Sequence, residues 1–337
     1  MPSSKEKILT FLSKEQFISG QELATKSGIT RAAVHKVISS LRDDGYIIEA
    51  VNNKGYKITS FPDKIDSAKI DNLIQQDGNA CQVIAFQSID STNLEAKRQT
   101  ADKELNKVVF VAEEQIAGRG RMGRQFASPK GSGVYFSLVY RPEGGIQNPA
   151  FLTSAAAVAV CRTIKKLYGE ECKIKWVNDV FFNGKKICGI LTEGVTNFET
   201  GKIDTAIIGI GINVRNCNFD DELSKVASSV EDIMKSQKKK VEKVSRNQIV
   251  ASVVSELLKI YEKDSTENVM CEYRNRSMLI GAVVTVNPLA GLEGSIYNAK
   301  VLDINDRAEL IVELEDKTIK NLASGEVSLR STNFCVK

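Results

Sequence analysis

The chain has 337 residues, of which 42% are hydrophobic and 26% charged, as in soluble globular proteins, and this length allows two or three domains. Its formal net charge is only +4, so any contact with nucleic acid has to come from a local basic patch. A single histidine, His35, nearly excludes a Ser-His-Asp triad, a histidine zinc site or a histidine general base in the main body.

Cysteine usage and hydropathy indicate a cytoplasmic protein. The seven cysteines are scattered and form no C-x-x-C pair, which is typical of reduced thiols rather than of a disulfide framework or a zinc site. No apolar run approaches the roughly 20 residues of a membrane span, and the N-terminus lacks the apolar region of a secretory signal. We therefore expect no membrane association.

Residues 1–60 form a predicted winged helix-turn-helix domain. An amphipathic helix around Ile8 precedes a short helix from Gly20, a glycine turn at Gly28, and a helix from Arg31 to about residue 43 that Thr30 can cap. A hairpin over residues 46–58 follows as the wing. A three-helix interaction module is the plainer alternative, but cap, turn and wing together favour DNA binding. The residues expected at the DNA surface are Gln21, Thr30, Arg31, Ala32, His35, Lys36, Ser39 and Arg42.

Residues 61–80 read as a linker with a short helix, and residues 81–275 as a central domain. A short strand over residues 82–86 leads into Ser91-Thr92-Asn93. These polar residues suit the N-cap of a helix, and they also suit a pocket that opens at the start of that helix. The two interpretations are compatible.

The segment Gly118-Arg119-Gly120-Arg121-Met122-Gly123-Arg124 combines three glycines with three arginines. Glycine permits positive φ and close approach of a ligand to the backbone, while arginine supplies a donor fork suited to phosphate or carboxylate. The letters also match the dinucleotide motif G-x-G-x-x-G, but the following residues, which include Pro129, cannot open the required helix. A disordered Arg-Gly segment is disfavoured by strand-like sequence on both sides. We therefore predict a structured anion-binding loop.

Further along, a strand over residues 134–140 precedes a helix that begins at Pro149 and is apolar nearly all round, which predicts deep burial. Asn183-Gly184 between apolar segments is a strong hairpin signal, and that hairpin could bring Lys175 and Lys186 towards one site. A surface ribbon with solvated lysines is the alternative. A core strand over residues 203–208 leads into Gly209 and Gly211. These glycines let a ligand or a neighbouring strand approach closely, and a β-bulge is the alternative.

The last third of the chain is predicted as one long helix and a small barrel. The helix runs from Ser245 to about residue 264. Residues 276–337 form short strands broken by turns, predicted at 283–286, 294–297, 300–304, 310–314 and 327–330.

Taken in order, these motifs resemble the biotin–protein ligases of the bifunctional kind, which also repress the biotin operon. The resemblance covers nearly the whole chain, and no single motif is unique. The segments that carry it are Ser91-Thr92-Asn93, residues 115–124, Lys175-Trp176-Val177-Asn178-Asp179, and residues 186–191, 209–213 and 325–330. The family implies an α/β (α+β) chain with a winged helix-turn-helix, a central mixed-sheet catalytic domain of the biotin/lipoate ligase type and a C-terminal SH3-like barrel.

The resemblance also implies a reaction in two steps. Biotin and ATP, with Mg²⁺, give biotinyl-5′-AMP, and a lysine of a biotin carboxyl carrier protein of acetyl-CoA carboxylase, or of another biotin-dependent carboxylase, then takes the biotinyl group. The adenylate promotes a homodimer that binds operator DNA. Joining a carboxylate to a polyphosphate is mainly a problem of charge, which Arg, Lys and Mg²⁺ can solve without histidine.

The family pattern assigns residues of this sequence to both substrates. Arg121, Lys175, Asp179 and Lys186 are the implied catalytic residues. The implied ligand-binding residues are Ser91, Thr92, Asn93, Gln115, Gly118, Arg119, Gly120, Arg121, Arg124, Phe126, Asn178, Lys186, Gly189, Gly209, Gly211 and Asn213; none is implied as a metal ligand.

Two positions depart from the family pattern, and rival functions stay open. Phe126 stands where relatives usually carry Trp against the adenine, and Val177 replaces the usual Pro of K-W-P-N-D. A non-enzymatic repressor that senses a small acid would not need Lys175 or Lys186. A lipoate ligase or acyltransferase of the related fold would lack the wing and the Gly-Arg block, and a stand-alone ligase would lack residues 1–60.

Overall fold

The computed structural model describes residues 3–43, 45–60, 62–146, 148–196, 201–215, 217, 219–241, 244–287, 296–323 and 326–329. The chain divides into two compact units, Met1–Lys64 and Ile65–Lys337. Among the described residues, no helix combines the length and the apolar character that crossing a bilayer requires.

The first unit has the predicted winged helix-turn-helix architecture. Its elements are α1 (Ser4–Phe11), α2 (Gly20–Ser27), α3 (Arg31–Asp43), β1 (Ile47–Val51) and β2 (Gly55–Ser60). Gly28 ends α2 in the left-handed conformation, with φ 71°, and the Thr30 hydroxyl accepts the backbone N–H of Ala33 at 3.2 Å at the start of α3. Ile38 on α3 is buried against this unit's core. Turn, cap and buried face thus follow the local sequence.

The second unit is built on a mixed sheet with a smaller antiparallel sheet after it. The elements up to the middle of the unit are α4 (Ser67–Gln76), β3 (Gln82–Phe86), α5 (Thr92–Asp102), β4 (Val108–Ala112), β5 (Gly133–Tyr140), α6 (Pro149–Tyr168), β6 (Lys173–Lys175), β7 (Asp179–Phe182), β8 (Lys185–Thr196) and β9 (Ile203–Asn213). Those that follow are α7 (Leu223–Val226), α8 (Val230–Ser236), α9 (Arg246–Glu262), α10 (Thr266–Arg276), β10 (Val283–Asn287), β11 (Tyr297–Ile304), β12 (Leu310–Glu313), β13 (Ile319–Leu322) and β14 (Glu326–Leu329).

The mixed sheet has the strand order β3-β4-β5-β9-β8-β7-β6 within the described residues. β3 and β4 are parallel, and the other neighbours are antiparallel. α6 packs against this sheet and α9, and its residues 152–161 are all buried, as an all-round apolar helix requires. Asn183, with φ 47°, and Gly184, with φ 76°, form the predicted two-residue hairpin between β7 and β8.

Helix α4 contributes to the core of the second unit. Its Ile70 and Ile74, one turn apart, are fully buried, and α4 packs on α9. Most of the segment expected to be a linker, residues 61–80, therefore belongs to the second unit; Phe61 lies outside the described residues. Apolar residues at i and i+4 form a stripe that has to be buried, but the sequence does not say which element buries it. The structure shows that α9 does.

The C-terminal strands form an antiparallel sheet in the order β13-β12-β11-β10-β14 over the described residues. β11 continues from Tyr297 through the strand predicted at 300–304, and the rest of the strand predicted at 294–297 falls largely outside the described residues. β13 was not predicted, because its residues 319–321 are exposed and carry little apolar alternation. Gly325 and Arg330 of the family-like C-terminal motif also lie outside the described residues.

A buried ion pair joins four segments of the second unit. The Arg246 guanidinium at the start of α9 donates to Glu113 Oε1 at 2.7 Å and to the Gly133 carbonyl at 3.1 Å. Glu113 Oε2 accepts the Ile65 backbone N–H at 3.0 Å. The side chains of Arg246 and Glu113 are only 2% and 4% exposed, so the pair is shielded from water.

We expect Glu113→Ala to lower the free energy of unfolding of the second unit by about 3–5 kcal/mol, because it takes a buried carboxylate away from the Arg246 guanidinium and the Ile65 N–H. Urea denaturation followed by fluorescence is suitable, since the single tryptophan, Trp176, lies in this unit. The matched control is Glu104→Ala, because Glu104 pairs with Arg141 while being 86% exposed. Equal losses for the two variants would contradict the assigned role.

Candidate active site

A cavity of about 320 Å³ lies over strands β8 and β9. The start of α5, the Gly-Arg loop (residues 118–124) and the turn between β6 and β7 surround it. Its lining residues are Ser91, Thr92, Asn93, Gln115, Arg119, Gly120, Arg121, Arg124, Gln125, Phe126, Phe136, Lys175, Trp176, Asn178, Asp179, Lys186, Gly189, Ile190, Leu191, Gly209, Ile210, Gly211, Asn287 and Val327.

The Gly-Arg loop, predicted from its sequence to be structured, forms a hydrogen-bonded hairpin. The Phe126 backbone N–H donates to the Gly118 carbonyl at 2.9 Å, and the Gly120 N–H donates to the Arg124 carbonyl at 2.7 Å. Met122 and Gly123 turn the chain with φ values of 55° and 74°. A side chain at position 118 would meet the Phe126 carbonyl oxygen at 2.4 Å, so glycine is required there for the hairpin to close. This closure aims the arginines on either side at the cavity.

A hydrogen-bonded network of uncharged side chains forms one wall. Gln115 Oε1 accepts the Thr92 backbone N–H at 2.9 Å and the Thr92 hydroxyl at 3.1 Å, while Gln115 Nε2 donates to the Ser128 hydroxyl at 2.8 Å. The fully buried Ser137 hydroxyl lies 2.6 Å from Asn93 Oδ1 and 2.7 Å from Thr92 Oγ1. Because each group is fixed by two or more others, the wall presents donors and acceptors in set directions.

Asn93 is held from the other side by a carboxylate. Its amide Nδ2 donates to Glu193 Oε2 at 2.8 Å and to the Leu191 carbonyl at 3.2 Å, and Lys97 pairs with Glu193 at 2.6 Å. Burial alone would raise the pKa of Glu193, but the hydrogen bonds from Lys97 and Asn93 hold that pKa below its ordinary value. Asn93 therefore serves the cavity mainly by fixing the start of α5.

The glycines of β8 and β9 make room for side chains that lie on the face of the sheet. A Cβ at position 209 would lie 2.1 Å from Asn93 Oδ1, and one at position 211 would lie 2.4 Å from the Phe126 ring. The Phe126 ring also lies over Gly189, where a Cβ would meet it at 3.0 Å. The sequence left open a β-bulge at these glycines. The register shifts in the neighbouring strand pairs fall at Val180/Phe181 and Val195/Thr196 instead, so the close approach of side chains accounts for Gly209 and Gly211.

Cations dominate the rim of the cavity. Lys186 Nζ pairs with Asp179 Oδ1 at 2.7 Å, which brings together two predicted catalytic residues from β8 and β7. The Arg121 guanidinium donates to Asn178 Oδ1 at 3.3 Å. Five positively charged side chains line the cavity with one carboxylate, Asp179, among the described lining residues. This excess of positive charge favours an anionic ligand.

The predicted ligand-binding residues converge on this cavity with two exceptions among the described residues. The Gly118 carbonyl accepts the Phe126 N–H, which closes the loop. Asn213 is buried and donates to the Ser228 carbonyl at 3.2 Å. The prediction missed Ser137 and Glu193, which hold Asn93, and Asn287 and Val327, which bring the C-terminal sheet to the cavity. A lone serine in the apolar strand 134–140 was the one signal available for Ser137.

The predicted DNA surface is exposed in the first unit. Gln21, Thr30, Arg31, Ala32, His35, Lys36, Ser39 and Arg42 are all solvent-exposed. Arg42 has a structural contact that the sequence did not predict. Its guanidinium donates to the Ile48 carbonyl from Nη2 at 2.7 Å and from Nε at 3.1 Å, which ties α3 to the first strand of the wing.

Comparisons with known proteins agree with both parts of this description. Residues 83–213 match the Biotin/lipoate A/B protein ligase family, and residues 4–57 match the HTH domain family. The chain is similar to the bifunctional ligase/repressor BirA of Bacillus spizizenii, with 33% identity over 93% of this chain and 94% of the relative. It is also similar to the BirA of Escherichia coli, with 29% identity over 96% of this chain and 97% of the relative.

Among solved structures, the biotin protein ligase from Aquifex aeolicus in complex with biotin and ATP matches with a TM-score of 0.60 and 26% identity, over 74% of this chain and 98% of that chain. The ligase family match spans all the predicted catalytic and ligand-binding residues, from Ser91 to Asn213. The predicted family is confirmed, and the chain belongs to the bifunctional ligase/repressor proteins of the BirA type.

Proposed function

We propose that this protein joins biotin to a lysine of a carrier protein through biotinyl-5′-AMP, and that it represses transcription of biotin genes when the adenylate is bound. One observation carries the enzymatic half. A cationic rim with Arg121, Lys175 and Lys186 faces a fixed polar wall across a single cavity. The wall suits the uncharged ring of biotin, and the rim suits a carboxylate beside a triphosphate.

In the first step a carboxylate oxygen of biotin attacks the α-phosphorus of ATP, the bond from that phosphorus to the bridging oxygen breaks, and pyrophosphate leaves. Lys186 bridges the biotin carboxylate and the phosphate, so that two anions can approach each other. Arg121 and Arg124 face the phosphates, and Lys175 stabilises the charge that develops during displacement. Asp179, which pairs with Lys186 at 2.7 Å, orients the lysines.

In the second step the neutral amine of the carrier lysine attacks the acyl carbon of the adenylate. The bond from that carbon to the phosphate oxygen breaks, AMP leaves, and the amine loses a proton to give the amide. Ser91, Thr92 and Gln115 hold the biotin ring in both steps, and the backbone of the Gly-Arg loop covers the mixed anhydride against water. Phe126 supplies an aromatic face for the adenine, with less area than a tryptophan.

Mg²⁺ is carried by the triphosphate in this proposal. Magnesium is usually held by substrate phosphates with one or two carboxylates and retained waters. Asp179, the one carboxylate among the described lining residues, pairs with Lys186, so the triphosphate and water would supply most of the metal ligands. There the metal would neutralise phosphate charge.

Repression requires the first unit and a dimer. Helix α3 enters the major groove with Arg31, His35, Lys36 and Ser39, and the adenylate promotes a homodimer that reads two half-sites. The ligand strengthens DNA binding only as far as it favours the dimer. The carrier partner is the biotin carboxyl carrier protein of acetyl-CoA carboxylase, or of another biotin-dependent carboxylase. ATP, carrier and operator meet in the cytoplasm.

The function is tested by incubating purified protein with α-³²P-labelled ATP, Mg²⁺ and biotin, with lipoate and octanoate as parallel acids. We expect retained biotinyl-AMP and no adenylate from the other acids. Adenylate from lipoate or octanoate instead would identify an acyl ligase of the related fold. No adenylate from any acid would contradict the proposed enzyme and favour a sensing repressor.

We expect Lys186→Ala to keep the fold and to slow adenylate synthesis by about 10²–10³, the usual cost of removing one preorganised charge. Pyrophosphate release measures the rate. The matched control is Lys185→Ala, because the neighbouring Lys185 ammonium instead binds the carbonyls of Ser224 and Lys225, at 3.0 and 2.5 Å. Near-normal turnover in Lys186→Ala would refute the assignment.

We expect Lys36→Ala to weaken binding to promoter DNA of the biotin genes by about 1 kcal/mol or more, since it removes a cation from the recognition helix. Fluorescence anisotropy at fixed salt with adenylate-loaded protein measures the affinity. Lys26→Ala serves as the control, because Lys26 lies on α2 and pairs with Glu22 at 2.7 Å. The same affinity for both variants would argue against α3 as the reading helix.

A further inference from the structure

The turn between β6 and β7 carries several groups assigned to the first step. Lys175 ends β6, Asn178 precedes β7, and Asp179 begins it. The residues between them, Trp176 and Val177, are anchored to other parts of the second unit. The turn therefore depends on those parts for its position.

One anchor comes from helix α10. The Tyr273 hydroxyl donates to the Val177 carbonyl at 3.1 Å, and the Tyr273 side chain is fully buried. Burial raises the pKa of this phenol, so that it remains a protonated donor throughout the physiological range. The hydroxyl thus holds the backbone of the turn at its midpoint.

A second anchor comes from the C-terminal sheet. The Trp176 indole Nε1–H donates to the Ala308 carbonyl at 2.8 Å, and Trp176 is 4% exposed. Ala308 lies between β11 and β12 with φ 61°. The turn is therefore held by α10 and by the loop at Ala308, in addition to the two hydrogen bonds between Asn178 and Ile190 of β8.

Helix α10 is itself fixed on both sides of Tyr273. The Arg162 guanidinium of α6 donates to Glu272 Oε2 at 2.9 Å and to Asp264 Oδ2 at 2.8 Å. Arg274 donates to the Ile304 carbonyl at 3.1 Å and to Asp306 Oδ1 at 2.8 Å in the C-terminal sheet region. Glu272, Tyr273 and Arg274, here called the α10 clamp, therefore connect α6, the C-terminal sheet and the turn.

We propose that Tyr273 is a positioning residue for adenylate formation, which acts through the Val177 carbonyl to hold Lys175, Asn178 and Asp179 in register with Lys186. This inference rests on the proposed function. Tyr273 is not among the described residues that line the cavity, so its effect reaches the substrates only through the turn. The hydrogen bonds of the polar wall join Thr92 of α5, Ser137 of β5, Gln115 and Ser128, and none of them involves the turn.

The test compares Tyr273→Phe with Tyr261→Phe in the full-length protein. The Tyr261 hydroxyl donates to the Leu152 carbonyl of α6 at 2.9 Å, and burial raises the pKa of that phenol as well. Each variant thus removes one shielded hydroxyl from a backbone carbonyl and keeps the ring. We expect a comparable fall in Tm for the two variants, so stability by itself does not separate them.

The two variants are distinguished by measuring kcat for pyrophosphate release and biotin affinity separately. In Tyr273→Phe we expect kcat for pyrophosphate release to fall at least about tenfold with unchanged biotin affinity, because a misplacement of about 1 Å can cost a hundredfold in rate. Tyr261→Phe should keep both. Arg274→Ala removes the contacts of the α10 clamp with Ile304 and Asp306 and should lower kcat in the same way, with unchanged biotin affinity. This variant tests the proposal if Tyr273→Phe folds poorly.

Equal kcat in Tyr273→Phe and Tyr261→Phe, with an active wild type, would overturn the positioning role and leave the proposed function intact. A parallel loss of biotin affinity would also overturn it, since the defect would then be general. A wild-type protein that forms no adenylate would overturn the proposed function and this inference together.

Discussion

The excess of positive charge in the cavity is the constraint on which the rest of the site depends. Arg119, Arg121, Arg124, Lys175 and Lys186 come from one loop and two strands and share a space of about 320 Å³. Water screens charges less inside a cleft than on a surface. The fold carries these cations on a sheet, a closed hairpin and an anchored turn.

The sheet supports the cavity at positions where its strands carry glycine. At Gly209 and Gly211 the backbone of β9 lets the Asn93 amide and the Phe126 ring lie directly on the strand. Asn93 then joins Ser137 and Glu193, and its helix start becomes fixed. Strand β9 thus fixes both the uncharged wall, through Asn93, and the Phe126 ring that follows the Gly-Arg loop.

The C-terminal sheet has a part in the site, although most of its residues are remote from it. Asn287 and Val327 line the cavity, and the Ala308 carbonyl accepts the indole N–H of Trp176. With Tyr273 on α10, these contacts hold the turn that carries Asp179. Each contact is an ordinary hydrogen bond, and together they fix the turn at two points.

The sequence by itself determined the features that depend on neighbouring residues. The Asn183-Gly184 hairpin, the Thr30 cap and the all-round apolar helix α6 follow from local backbone and burial preferences, and the motif order identified the family and most of the cavity lining. Tertiary structure alone decided which distant groups meet. Glu193 reaches Asn93 across 100 positions of the chain, Tyr273 reaches Val177, Asn213 turns to Ser228, and α4 packs into the core instead of acting as a linker. A hydrogen-bonding side chain has many chemically equivalent partners, and only the packing of the elements that carry them selects one.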